Sequence, residues 1–254
     1  MGKAKRNKQK SPPPKPDNLQ QSGVYRAERV RVEKHVLEAL REERSAMSVV
    51  RLALAAQRTC QDTAQSFPPE TLACLACQSG CDYCCYPPVS AAVPEVANIV
   101  AYVLSQLPEE EQQRLIDRVG QVYTQVNPMT GQERASPNVA CPYLNQGKCS
   151  IYPVRPLSCR GFNSGSKEAC QTVYEQARTD LPIPAFLPLL ASAQGLKEGL
   201  LSGLKQAGLK NPLVDLVRAS HKLFEELEDN LDGWLGGQDV FADCQPFQNR
   251  SQPG

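Results

Sequence analysis

The residues of this chain best suited to chemistry are its cysteines. Of 11 in all, five fall within Cys74-Leu-Ala-Cys77-Gln-Ser-Gly-Cys81-Asp-Tyr-Cys84-Cys85, a density that hydrophobic burial of free thiols does not explain. Intervals of two and three residues let successive thiolates converge on one ion, and Gly80 permits the tight backbone turn this requires. Adjacent Cys84 and Cys85 differ, because neighbouring side chains usually diverge; either one of them ligates or each serves a separate metal. A second group follows in Cys141, Cys149 and Cys159, with Cys170 beyond it. Two groups far apart in sequence can close one site by folding together, and metal binding then contributes directly to folding free energy.

The only histidines, His35 and His221, lie far from both groups in sequence, so the expected ligands are sulfur. Thiolate-only sites suit zinc, iron–sulfur clusters or Cu(I). The candidate metal ligands are Cys77, Cys81, Cys84, Cys85, Cys141, Cys149, Cys159 and Cys170. They outnumber what one tetrahedral ion needs, which argues for a second metal or for labile sulfurs. Cys60 and Cys244 stand apart and read as small buried hydrophobes, as does Cys74 at the edge of the first group. Arg155 and Arg160 are the candidate cofactor-binding residues: their guanidinium groups would offset the negative charge of a thiolate cluster, or hold a carboxylate or phosphate. Pro153 and Pro156 set the loop between Cys149 and Cys159, and Tyr143 and Tyr152 read as packing residues.

The elements that must position these thiols are helical. Val30, Val32, Val36, Leu37, Leu40, Met47, Val50 and Leu54 recur at helical spacing and predict one long helix, or two in line, from Tyr25 to about Gln65. A helix starts at Pro94, a residue suited to a first turn, and another runs from Pro108 to Val126, opened by Glu109, Glu110 and Glu111. Residues 127–140 read as a loop. Lys167 to Arg178, Pro184 to Lys205 and Pro212 to Asp229 read as further helices, with Gly195, Gly199 and Gly203 at a spacing that allows close helix packing. No sustained alternation and no βαβ rhythm appears. The expected fold is mainly α, a small helical domain with irregular cysteine-rich loops organised around a metal site. The expected divisions are a disordered basic tail over 1–24, a helical extension over 25–71, a metal-binding domain over 72–242 and a disordered tail over 243–254.

A formal net charge of +1 excludes a globally basic nucleic-acid binder; nucleic acid is an expected partner only for the tail carrying Lys3, Lys5, Arg6, Lys8, Lys10 and Lys15. No run approaches the ~18 apolar residues of a membrane span, and no apolar signal core opens the chain. The expectation is a cytoplasmic protein, without a membrane partner, in which clustered thiols bind metal rather than form disulfides.

Two stretches resemble the YkgJ-like cysteine-cluster family of zinc- or iron-chelating domains. The first is Cys77-Gln-Ser-Gly-Cys81-Asp-Tyr-Cys84-Cys85-Tyr86-Pro-Pro-Val89 running on to Pro94-Glu95. The second is Cys141-Pro142-Tyr143-Leu144, Cys149-Ser-Ile-Tyr152, Arg155-Pro156 and Cys159-Arg160-Gly161-Phe162-Asn163-Ser164, followed by Cys170. Trp234-Leu235-Gly236-Gly237 with Val240-Phe241 also looks similar, so the resemblance spans roughly 72–242. It implies chelation of zinc or iron and little about a reaction. Cys77-x3-Cys81-x2-Cys84 also has the spacing of the radical-SAM cluster motif, but a helical segment precedes it where that fold has a strand. The same three thiolates could instead hold an iron–sulfur cluster completed by Cys141, Cys149 or Cys159. Three readings follow: a structural metal site presenting a surface to a protein partner, an iron–sulfur redox protein or enzyme component, and a thiol redox or metal-delivery protein. No catalytic dyad, phosphate loop or dinucleotide fingerprint names a substrate.

Overall fold

The computed structural model describes residues 17–135, 139–177 and 181–247. The basic residues Lys3 to Lys15 lie outside the described residues, as do Arg178 and the end of the chain. The helices are α1 (Asp17–Gln20), α2 (Gly23–Glu42), α3 (Ala46–Gln65), α4 (Pro69–Leu72), α5 (Val93–Gln106), α6 (Glu109–Val126), α7 (Gly131–Ala135), α8 (Leu157–Gly161), α9 (Lys167–Glu175), α10 (Leu187–Gln206), α11 (Leu216–Glu225) and α12 (Leu227–Leu235). Two short antiparallel ladders complete them: β1 (Ser90–Ala92) with β4 (Leu213–Asp215), and β2 (Leu144–Asn145) with β3 (Lys148–Cys149). The mainly α expectation holds. No helix among the described residues is long and apolar enough to cross a membrane.

The first periodic stretch divides into α2 and α3 because Ser45 caps a new helix. Its hydroxyl accepts from the Ser48 amide at 3.2 Å while Glu43 and Ser45 are extended. Pro94 lies in the first turn of α5, and Pro108 immediately precedes α6, whose first turn carries the three glutamates. The single helix expected from Pro212 to Asp229 is corrected. Residues 213–215 form β4, pairing Ala91 with Val214, and the buried Asp215 then caps α11 by accepting from the Val217 and Arg218 amides at 3.0 and 3.1 Å. The chain breaks again at the extended Glu226 before α12. Of the loop expected over 127–140, residues 131–135 form α7.

The core is built around α5, where Val93, Val96, Ala97, Ile99, Val100 and Val103 are all fully buried. The same core takes in Val49, Leu52 and Ala56 of α3, Leu196, Leu200 and Leu204 of α10, and Leu223 of α11. α2 enters the same core through Val32, Val36 and Leu40. It does so by lying directly on the glycines of α10. A methyl carbon at Gly195 would sit 2.5 Å from the Tyr25 carbonyl oxygen, one at Gly199 would collide with the Arg29 carbonyl, and one at Gly203 would be 2.7 Å from Val36 Cβ. Contacts ascend together in both helices, so α2 and α10 run parallel with nearly touching backbones. Of the segments expected as tails, residues 17–20 form α1, while near the other end Cys244 is buried and the Arg218 guanidinium lies 4.0 Å from the Phe247 ring centre.

Glu95 ties the two halves of the chain together. Its buried carboxylate accepts from the Ala92 amide at 2.8 Å, at the head of its own helix, and from the Leu157 amide at 2.5 Å, at the head of α8. Burial raises its pKa, opposed by the two backbone donors and by the charges of Lys197 and Arg160. Lys197 of α10 completes the junction, donating to the Ser90 carbonyl at 3.0 Å and the Ser158 hydroxyl at 2.9 Å.

Replacing Gly199 by alanine should lower stability by about 1–3 kcal/mol through backbone overpacking, although the same change in an open helix stabilises. Gly120 of α6 provides the control: nothing lies within 4 Å of an added methyl there, so Gly120→Ala should gain about 0.5–1 kcal/mol. Urea melts giving both changes the same sign would refute the packing account. For Glu95→Gln, which turns an amide NH2 towards a buried N–H, the same melts should show a loss of about 1–3 kcal/mol.

Candidate metal centre

The first cysteine box is anchored by backbone rather than by a core. The Ala76 amide donates to the Ser164 carbonyl at 2.7 Å, and the Ser164 amide donates back to Cys77 Sγ at 3.3 Å. Gly80 takes φ of 89°, the left-handed turn that the spacing of Cys77 and Cys81 calls for. A short 3-10 turn over Tyr83–Cys85 then presents Cys84 and Cys85. Tyr83 and Tyr86 pack on Tyr174 of α9, with ring centres 5.6 and 4.7 Å apart. That contact brings α9, and with it Cys170, onto the box.

The second group docks on the first through two contacts. The Cys141 amide donates to the Cys85 carbonyl at 2.7 Å. The β2–β3 turn at Gln146 and Gly147, both with positive φ, lies against Gly80. Within the group, Tyr143 is buried and donates to the Ser220 hydroxyl at 2.8 Å, and Cys149 pairs with Leu144 in the hairpin. Cys159 rides on α8, whose first amide is held by Glu95. The residues after it have separate tasks. Gly161 abuts Ala193 of α10, where any side chain would collide, and Asn163 brackets Phe186 by accepting from its amide at 2.6 Å. Ser164 then reaches Cys77.

All eleven cysteines are free thiols. Cys60 and Cys244 are sealed in the core, whereas Cys74 is exposed and donates to the Thr71 carbonyl of its own turn at 3.0 Å. The charges of several candidate ligands act on one another. Cys159 feels the charges of Cys141, Cys84 and Cys149, and Cys85 those of Cys84, Cys141 and Cys149. Cys77 feels those of Cys84, Cys170 and Cys81. Among the described residues, no three Cys, His, Asp or Glu side chains stand at metal-holding separations. His35 is exposed on α2, and His221 stacks on Tyr123 at 4.0 Å.

Burial dominates the electrostatics. It pushes the Cys141 thiol up to about 12, Cys159 well above its ordinary value, and Cys149, Cys77 and Cys170 upward. Cys84 is the exception, held below the ordinary thiol value by a hydrogen bond from Cys85, whose own proton is correspondingly tight. The two candidate arginines part company. Arg155 lies 4.1 Å from the Tyr152 ring centre, and its charge favours the thiolates of Cys84, Cys149 and Cys159. Arg160 is buried and donates to Gln61 Oε1 at 2.9 Å and the Pro153 carbonyl at 2.7 Å, beside Cys60. Its contacts brace the loop between Cys149 and Cys159 against α3.

A cation absent from the sequence reading also acts on the second group. Arg134 of α7 is buried, donates to the Tyr86 carbonyl at 3.2 Å, and acts on Cys141 and on Asp215. No periodicity marks an arginine in a segment read as a loop. Glu95 and Ser164 stood inside the quoted motifs, but their roles depend on partners 62 and 87 residues away. As a donor set, eight free thiols flanked by guanidinium groups fit a thiophilic cation: sulfur suits zinc and iron, and the arginines offset the surplus charge of several thiolates on one divalent ion.

No curated protein and no solved structure matches the chain. A family model matches a segment running from just before Cys77 to just past α9, shorter than the resemblance over 72–242; it contains all eight candidate ligands and leaves out Cys60, Cys74 and Cys244. That segment, residues 76–177, matches the CxxCxxCC family, described as "Putative zinc- or iron-chelating domain".

Proposed function

We propose that this protein chelates zinc or iron through thiolates of its two cysteine groups, Cys77, Cys81, Cys84 and Cys85 with Cys141, Cys149, Cys159 and Cys170. One observation carries the reading: the cysteines of the two groups all fall inside the family match, while Cys60, Cys74 and Cys244 fall outside it. Bound metal would supply a cross-link between the two groups, adding to folding stability; iron would add electron chemistry. Arg155 and Arg134 would offset thiolate charge, while Arg160 braces the loop. No reaction is assigned.

Anaerobic purification followed by elemental analysis and an absorption spectrum separates the metals. Stoichiometric zinc with a colourless solution supports a zinc site, whereas iron with sulfide and a broad visible band supports a cluster. Freely titrating thiols with neither metal retained would refute chelation. Ligation at about 1,000-fold excess over Kd should stabilise the fold by about 4 kcal/mol. Thermal melts with and without metal should show that gain lost in Cys159→Ala and kept in Cys60→Ala.

A second expectation concerns pH. A thiol must lose its proton to ligate, and burial holds most of these protons on the metal-free protein, so binding releases protons and strengthens as pH rises. Competition against a chromophoric chelator at two pH values about one unit apart should give affinity at least about 10-fold weaker at the lower pH. An affinity independent of pH would rule out thiolate ligation.

A further inference from the structure

Apart from the thiols, a cleft of about 380 Å³ opens between α6 and the β2–β3 hairpin. Its α6 wall carries Glu111, Arg114, Asp117 and Arg118, while Asn145 of β2 and Ser150, just beyond β3, supply the other wall. Residues 111, 114, 115 and 118 fall on one face of a helix, and the buried Leu115 turns that face inward. Arg114 and Arg118 are about one turn apart, a spacing at which like charges repel. Nothing within the cleft neutralises them: among the described residues, no ion pair joins either arginine to Glu111 or Asp117. Arg114 Nε instead donates to the Glu110 carbonyl at 3.3 Å, and Asp117 accepts from the Gln113 side-chain amide at 2.8 Å. Two guanidinium groups and two carboxylates thus line one concavity without satisfying each other.

We infer that this cleft binds a free α-amino acid with a polar, uncharged side chain, a role separate from metal chelation. A carboxylate between Arg114 and Arg118 would relieve their repulsion and accept charge-assisted hydrogen bonds from both. A simple anion does not suit the rest of the wall, because Glu111 and Asp117 would repel it. A group with an ammonium beside its carboxylate meets both signs, and the head of an α-amino acid is the compact group of that kind. The cleft falls in the size range of small-molecule sites and holds more than the head alone. For the remainder it offers the Gln121 and Asn145 amides and the Ser150 hydroxyl, which are partners for a side-chain amide or hydroxyl. Ser150 follows Cys149, so the occupant would lie against the hairpin that carries a candidate metal ligand.

The test is calorimetric titration of the reduced full chain with L-glutamine, L-asparagine and L-serine. Acetate, inorganic phosphate and ethylamine serve as controls that carry one sign of charge only. At least one of the amino acids should bind, and every control at least ~10-fold more weakly. The double variants Arg114→Gln/Arg118→Gln and Glu111→Gln/Asp117→Asn should each weaken that binding at least ~10-fold. All four side chains are exposed or half-buried, so circular dichroism of both variants should stay native. Acetate or phosphate binding as tightly as the amino acid, and tighter still in Glu111→Gln/Asp117→Asn, would mark a plain anion site and overturn the inference. Binding unchanged in either double variant overturns it too, as does a chain that takes up none of the three amino acids. Each of these failures leaves chelation intact, since no described cysteine lines the cleft.

Discussion

Glu95 is the interaction on which the arrangement of the cysteine region most depends. A carboxylate buried among valines and alanines is costly unless its oxygens are satisfied, and this one accepts from the Ala92 and Leu157 amides. Those amides open two helices, α5 and α8, that are distant in sequence. The acceptor that starts α5 therefore also fixes where α8 begins, and with it where Cys159 stands relative to the box that precedes β1. Lys197 bonds the Ser90 carbonyl and the Ser158 hydroxyl at the same junction, so α10 is drawn to the same point.

The packing of α10 explains how the helical extension shares in that framework. Without side chains at Gly195, Gly199 and Gly203, α10 receives α2 at backbone contact, and the valines of α2 fill the space beside the glycines. Glycine in a helix interior costs roughly 1 kcal/mol against alanine. Here that cost is offset by an interface that no larger residue permits. On another face of α10, Gly161 repeats the device by seating α8 against Ala193. Close approach is thus used twice, once to bring α2 into the core and once to hold the helix that carries Cys159.

The two arginines of the second group illustrate how little a motif says about direction. Arg155 and Arg160 stand five residues apart and present the same functional group, yet one bears on the thiols and the other spends its donors on Gln61 and a loop carbonyl. The difference arises because α8 begins between them and turns the second side chain towards α3. Arg134 reaches Cys141 from a segment with no readable pattern. The charge that acts on these thiols is therefore a property of the fold, and among Arg134, Arg155 and Arg160 it comes from two segments.

Much was legible in the chain itself. The helical periodicities of α2, α3, α5 and α6, and the first-turn roles of Pro94 and the glutamates after Pro108, are local effects carried by nearby residues. The cysteine intervals and the turn at Gly80 likewise state sulfur ligation without reference to anything distant. β4 was not legible, because residues 213–215 become extended only by pairing with β1 more than 120 residues earlier. Nor was the docking of the cysteine segments. It depends on the Cys141–Cys85 backbone bond, on Tyr174 drawing α9 to the box and on Glu95 placing α8. Residue type and spacing determined the chemistry available to this protein, since thiolate ligation is intrinsic to the side chain; only tertiary structure decided which thiols and cations share a space, since that rests on contacts between segments remote in sequence.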